Sequence, residues 1–513
     1  MNKIIMGSVS AIALLAAAPA FAQSNTSDVD QSGSGNGATV DQLGSAGDSD
    51  VDQDGTDNTA SVEQNGAGDD STIAQTGEGN DADVAQTGGA TSSVAQYNAE
   101  NDAPLVGNTA TVDQAGASTS DLRQLGENLN ATVTQTGDGN DSYFDQGGPP
   151  PPEANKEGDS NTTGFVTQTG SSNVSNLRQR ADNALATVTQ DGTGNDSTVF
   201  QGAGTNNQFD ENGDNAIASV SQTGEDNRSV LNQGNDDVTA SVTQDTAGVP
   251  SGGFPANDSL VTQNARFGNV TVEQTGVGNQ STVNQGTAGR SSVANVSQTN
   301  MTGGALNTSS ITQAGVRARA DVDQEGEGNS SSIAMSGDRS EAGFQADVNQ
   351  LGNSNQLIIT QSGDSLAFVD QIGDLNQSNV NQSAASTGST ADVNQSGTSG
   401  ISDVDQLGAG NTATVNQLFD SLSEDSNIQQ TGTNGVVTVN QSGESNDSDV
   451  LQGGDLNLAE VTQEGFDNTS LITQGGSSNS ATVYQYTDSN TSTITQGGSG
   501  NAATVTQGAP GVL

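Results

Sequence analysis

The sequence predicts an all-β solenoid. Three observations carry the prediction. Glutamine recurs at a spacing of 11, most strictly at Gln430, Gln441, Gln452, Gln463, Gln474, Gln485, Gln496 and Gln507. An aliphatic residue stands two before each of these, and a small residue four before. The small residue alternates between Ser and Ala along the chain, as in Ser470, Ala481, Ser492 and Ala503.

The half-repeat reads N-x-[A/S]-x-V-x-Q-x-G-x-x. Its signal residues fall at every second position, which is the period of a strand with one face turned inward. Eleven is odd, so an uninterrupted strand would change face at each repeat. The Gly-containing segment must therefore turn the chain, and Gly supplies the positive φ that a tight turn needs. An 11-residue period also fits a right-handed coiled coil. Gly, Asn, Thr and Val are poor helix formers, however, and no apolar helical stripe is sustained.

The array can be followed through 40 slots from Gln31 to Gln507, 39 of them Gln, with Met335 in the remaining one. The Ser/Ala alternation survives every irregular interval. Its exceptions, Gly164, Val270, Leu357 and Val437, put neither Ser in an Ala slot nor the reverse. The true unit is thus 22 residues with two unlike halves, giving 20 strand–turn–strand–turn coils. Stacked, they form two facing parallel sheets in a cross-β arrangement, one Ser-lined and one Ala-lined. At about 4.8 Å per coil the rod is roughly 95 Å long.

The longer intervals are insertions near residues 97–107, 147–158, 202–213 and 245–257. They contain Pro104, Pro149 to Pro152, Pro250 and Pro255. Pro cannot donate to a ladder, so these segments are read as loops bulging from turns. Pro149 to Pro152 is the candidate hinge. Residues 23–513 otherwise form one repeat domain.

A single coil buries two aliphatics, about 1.5–3 kcal/mol each, against a backbone entropy cost of about 1–2 kcal/mol for each of 22 residues. Stability must therefore come from stacking. Inward Gln and Asn amides are expected to pair with their counterparts above and below as ladders, since a buried unsatisfied amide costs about 1–3 kcal/mol. Pairing is expected to begin near Asn25 and stop at Gln507, leaving uncapped edges that recruit another chain. Head-to-tail addition does not close and gives a filament.

Residues 1–22 read as a secretory signal. Lys3 gives the positive end, Ile4 to Ala18 the apolar run, and Ala20-Phe21-Ala22 the cleavage motif, with cleavage before Gln23. The run is short for a membrane span, so the mature chain is expected to be exported and not membrane-embedded.

Composition narrows the function. Hydrophobics are 30% and aromatics 3%, too few for a large conventional core. Low hydrophobicity with a net charge of −51 would suggest disorder; the register of Val and Gln over hundreds of residues overrules it. The absence of Cys and His excludes disulfides and His-based acid/base chemistry. Lys+Arg is 11 against 62 Asp+Glu, which makes nucleic acid a poor partner. No catalytic, cofactor-binding or metal-ligating residue stands out, and an enzyme is not expected.

Two outward motifs bear on other functions. Asp48, Asp50, Asp52 and Asp54 suggest cation binding or control of assembly by charge, against the plainer reading of a solvated acidic face. The pairs Thr132/Thr134, Thr187/Thr189 and Thr504/Thr506 suggest an ice-ordering face, against plain β-propensity. A monomeric surface adhesin, or an ice- or cation-binding rod, is the alternative to a fibre subunit.

The pattern Q-x-G-x2-N-x-A-x3-Q resembles that of curlin repeats. It is met at Gln31-x-Gly33-x2-Asn36-x-Ala38-x3-Gln42, and again from Gln75 to Gln86 and from Gln496 to Gln507. The resemblance implies a subunit of curli-like functional amyloid at the surface of a Gram-negative-type bacterium. Its partners would be copies of itself, with a nucleator and an outer-membrane secretion pore. Its role would lie in biofilm matrix and cell adhesion.

Overall fold

The computed structural model describes residues 24–98, 106–147, 159–202, 214–246, 256–287, 290–301, 304–337, 344–418 and 421–508. The expected signal segment, the candidate hinge at Pro149 to Pro152 and most of each of the four long insertions lie outside the described residues. Among those described, the regular elements are strands alone.

The strands form two parallel ladders of 20 rungs each. One runs from Thr26–Ser34 to Thr491–Gln496 and contains every strand of the Ser series. The other runs from Gly37–Gln42 to Ala502–Gln507 and contains every strand of the Ala series. A two-residue segment, Asp159–Ser160, lies alongside Gly126–Glu127 as an extra pairing of the Ser sheet. Successive strands of the chain therefore alternate between sheets, and each strand pairs with the one a full coil away. Among the described residues both ladders are open at their ends. There Gly37–Gln42 pairs with Thr59–Gln64 alone, and Ala502–Gln507 with Ser480–Gln485 alone.

Among the described residues no register slip occurs. Gln pairs with Gln across insertions as well as across regular intervals: Gln86 with Gln114, Gln135 with Gln168, Gln190 with Gln222. A slip of one residue would move every inward side chain to solvent, which is why a buried face enforces register so strictly. The alternation shows directly in burial, as in the pattern of Asp70–Glu78, where Ser71, Ile73 and Gln75 are buried and their neighbours exposed.

The core is a double file of aliphatics. The Ala sheet contributes Val at all twenty central slots, from Val40 to Val505. The Ser sheet contributes a mixture of Val, Ile and Leu with the single ring of Phe144. Phe144 explains one exception to the Ala series. A Cβ at Gly164 would overlap the Phe144 ring, so the missing methyl makes room for the ring across the core. Interiors are close-packed, and such volume exchange is how they tolerate a large residue.

The turns refine the sequence expectation about Gly. The position five residues before the strand's aliphatic takes φ near +55° in most half-repeats, yet it is often not Gly: Asp57, Asn128, Asp226, Phe267, Arg317 and Leu456 all occupy it. The Gly two residues after Gln takes positive φ itself, as at Gly33, Gly170, Gly192 and Gly443, and meets a second demand as well. A Cβ on Gly33, Gly170, Gly192 or Gly443 would overlap the carbonyl oxygen of the equivalent Gly one coil on. Gly is required there because the turns themselves stack backbone on backbone.

Candidate assembly site

The inward amides build the ladders that any added coil must continue. In the Ala sheet each Gln Nε2 donates to the Gln Oε1 of the following coil, without interruption from Gln42 to Gln507, at 2.7–3.1 Å. The second Nε2 hydrogen crosses the core. Gln64 donates to the Asp48 carbonyl at 2.8 Å and Gln190 to the Val174 carbonyl at 2.9 Å. Each Gln thus ties its coil both to the next coil and to the opposite sheet. The ladder was legible in the sequence; the cross-core bond was not.

The direction of donation is the same throughout, so the ladder is polar. Its Ser-sheet counterpart is broken once. Met335 offers only a sulfur to Gln313 Nε2, at 3.9 Å, and Gln361 Oε1 is left without a partner. Phe344 and Leu357, both buried, replace the usual Asn and Ser beside this gap. Between coils 13 and 14 an apolar seam therefore replaces the Ser-sheet Gln rung, while Gln350 still donates to Gln371 in the Ala sheet.

Asparagine performs the equivalent work at the turns. The Asn173 Oδ1 accepts the Asn195 backbone N–H at 3.1 Å, and its Nδ2 donates to the Gly192 carbonyl at 3.0 Å. The buried Asp69 stands in an Asn slot and accepts three backbone N–H groups, those of Gly66, Gly89 and Ala90. Glu424 does the same for Asn446.

The inward serines contrast with these satisfied amides. Sixteen of their hydroxyls, from Ser49 to Ser492, are buried without a hydrogen-bond partner. Identical side chains in a ladder repeat at about 4.8 Å, longer than a hydroxyl usually spans; Ser281 Oγ, donating to Ser259 Oγ at 3.3 Å, is an exception. Gln and Asn bridge that gap because their amides are longer.

Among the described residues the first and last coils present matching surfaces. At the first coil Asn25, Ser27, Val29 and Gln31 lead the Ser sheet; at the last coil Asn490, Ser492, Ile494 and Gln496 close it. In the Ala sheet Asn36, Ala38, Val40 and Gln42 correspond to Asn501, Ala503, Val505 and Gln507. Val29 is 43% exposed, whereas its equivalent Val51 is fully buried one coil further in. Ala38, Val40, Ala503 and Val505 are likewise only partly covered.

The outer faces hold the remaining candidates. Asp28 stacks on Asp50, Asp30 on Asp52, and Asp48 on Asp70. Ser32 pairs with Asp54, its hydroxyl donating at 2.5 Å. Among the described residues no group of three or more carboxylates converges as a metal would require. Further along, burial and then the charge of neighbouring carboxylates push Asp347, Asp425 and Asp447 above the usual carboxylate range; burial does the same for Asp392 and Asp403. Thr134, Thr167, Thr189, Ser221 and Thr243 form one continuous outward row on the Ala sheet, but Phe165 interrupts the companion row between Thr132 and Thr187. Thr504 and Thr506 stand apart, beside Thr482 and Tyr484. The sequence pairs are thus not brought together as one array. Among the described residues no helix is long and apolar enough to cross a membrane.

A family model described as "Curlin associated repeat" matches residues 22–55, 55–88, 443–476 and 476–508. The matched segments are the first and last coils, those that present the open ladders. No curated protein matches the chain.

Proposed function

We propose that this curlin-repeat chain is the structural subunit of an extracellular fibre, built by stacking copies head to tail. The observation that carries the reading is the likeness of the two open ends. The last coil offers Asn490, Ser492, Ile494 and Gln496 where the first offers Asn25, Ser27, Val29 and Gln31, so a second copy continues every ladder with its own kind of residue. Polarity supports the same reading. Gln496 and Gln507 sit at the donating ends of their ladders, and Gln31 and Gln42 at the accepting ends. Like ends would oppose donor to donor. Addition is therefore heterologous and open-ended, and the resulting filament is cross-β.

Residues 1–22 would direct export and be removed before Gln23, leaving residues 23–513 as the repeat domain. Passage through an outer-membrane pore, a nucleator, and a part in biofilm matrix and adhesion complete the proposal. The curlin repeat motif supports them. The chain is a structural protein, not an enzyme.

The test is to dilute residues 23–513 from denaturant and follow thioflavin-T fluorescence and fibre diffraction. A lag phase, then reflections near ~4.7 and ~10 Å, is the expected result. A β-rich chain that stays monomeric at all concentrations would overturn the fibre reading in favour of a monomeric adhesin rod.

A further inference from the structure

The few cations of this chain are not scattered. No Lys or Arg stands between Gln23 and Leu122 or beyond Arg339. In the middle of the array three of them come together on the turn edge that follows the Ser-sheet strands. Arg266 and Arg290 are directly paired across adjacent coils, and the Arg317 N–H donates to the Arg290 carbonyl at 2.7 Å in the coil after. Val316 is the residue in register with Arg290, so Arg317 stands one position further round the same turn, beside the Arg266–Arg290 pair. The three arginines are 24 and 27 apart in sequence, at irregular intervals, and only the stacking of coils brings them together. Arg266 leans on the Phe267 ring and pairs with Asp236 at 3.1 Å. Arg290 and Arg317 are exposed and make no ion pair among the described residues. Arg319 stands beside them at the start of the next strand.

Stacked like charges about 4.8 Å apart repel one another. Such a row is relieved by a row of opposite charge at the same pitch. The first three coils of this same chain carry one: Asp28 over Asp50, Asp30 over Asp52 and Asp48 over Asp70, all exposed and with no cation near them in sequence. Arg266 and Arg290 share the coil spacing of the aspartates, because the turns stack in step with the strands.

We infer that the arginine edge formed by Arg266, Arg290 and Arg317 binds the acidic face of the first coils of a second copy, joining rods side by side with a stagger. The contact is lateral and distinct from end-to-end stacking. It also has a salt signature of its own. At low ionic strength the net charge of −51 on each rod holds copies apart. Near physiological salt, where the screening length is about 8 Å, distant repulsion fades while close pairs persist. At about 1 M salt, with screening near 3 Å, the pairs weaken too. Lateral association is therefore greatest at intermediate salt.

The experiment uses residues 23–513 carrying Arg290→Lys, which keeps the charge and introduces an amine. Isotopically labelled and unlabelled chains are mixed and coupled with a zero-length carbodiimide. The expected result is a labelled-to-unlabelled crosslink from position 290 to carboxylates between Asp28 and Asp83. The triple variant Arg266→Gln, Arg290→Gln, Arg317→Gln should lose side-by-side pairs in electron micrographs while assembling at an unchanged rate. Crosslinks spread evenly over the rod, or lateral pairs that survive the triple substitution, would overturn the inference. So would binding of alginate that depends on the three arginines when no crosslink between copies forms; the edge would then be a site for acidic polysaccharide. The crosslink reads on soluble rods as well as on fibres, so failure of end-to-end assembly leaves it interpretable.

Discussion

In the last three coils both turn edges are lined by asparagine: Asn446, Asn468 and Asn490 on one, Asn457, Asn479 and Asn501 on the other. In the middle of the array the two edges part ways. From Asn140 to Asn376 the slot before each Ser-sheet strand remains Asn, and most of these side chains donate to the carbonyl of a stacked turn Gly, as Asn195 does to Gly224 and Asn329 to Gly352. The slot before each Ala-sheet strand holds Thr162, Ala184, Ala216, Val238, Gly268, Ser292, Ala318, Phe344, Ser365 and Ser389 instead. Where a hydroxyl stands there it does a shorter version of the same job: Thr162 Oγ1 donates to the Ala181 carbonyl and Ser292 Oγ to the Gly315 carbonyl. Where Ala or Val stands there, no polar side chain needs a partner. Register is nevertheless identical in both regions. One regular turn edge, together with the Gln ladders, is enough to hold it, and the other edge is free to carry arginines. The family model matches the terminal coils, where the second slot is Asn36, Asn58 and Asn80 at one end and Asn457, Asn479 and Asn501 at the other.

The comparison can be broken most sharply at the glycines. Gly192→Ala in the middle and Gly443→Ala near the end should each lower stability by about 3 kcal/mol, since each new Cβ overlaps a stacked carbonyl. Urea unfolding of the soluble chain measures both. A loss in only one region would mean that turn stacking differs between them. The Gln ladder should come next. Gln190→Leu leaves Gln168 Nε2 and Gln222 Oε1 without their rungs and should cost about 2–3 kcal/mol, read by the same unfolding curve.

Asn479→Ala should be milder, about 1 kcal/mol, because Ala184 and Ala216 already fill the equivalent slot in the middle. A cost above that of Gln190→Leu would show that the end coils depend on their second Asn edge. Met335→Gln works in the opposite direction. It supplies a donor to Gln361 Oε1 and should stabilise by about 1 kcal/mol, provided Phe344 leaves room for the amide. Hydrogen exchange across coils 13 and 14 would report the change locally.

The smallest effect expected is that of pH. Asp347, Asp392, Asp403, Asp425 and Asp447 have their carboxyls raised above the ordinary value of 3.8 in the folded chain. The folded state therefore binds protons at a higher pH than the unfolded chain does. Stability should rise as pH falls through the raised values toward 3.8, and the gain should be lost as pH climbs back above them. These residues lie in the second half of the array, so the slope should be steeper for fragments of that half in thermal unfolding at pH 7 and pH 4. Acid should speed assembly in the same sense, and a rate flat from pH 4 to 8 would contradict it.

Much of this was readable from the chain. The Ser/Ala alternation assigned each of the forty strands to its sheet, because a two-residue strand period and a 22-residue coil leave no other arrangement that keeps Val, Gln and the small residue inside. The open amide ladders and the unfinished end coils followed from the same periodicity. Four things did not follow. The second bond of Gln crosses to a backbone carbonyl that no side-chain pattern marks. The repeat Gly is demanded by a carbonyl one coil away as well as by the positive φ of its own turn. Phe144 and Gly164 compensate each other across the core of one coil, and Met335, Phe344 and Leu357 form a seam between neighbouring coils, through contacts that the linear repeat does not mark. Lastly, Arg266, Arg290 and Arg317 look unrelated in a linear reading, since insertions of unequal length separate them. The sequence by itself determined which residues face inward, because that depends on local period alone. The tertiary structure decided which residues meet, because a ladder aligns coils in space whatever length of chain runs between them.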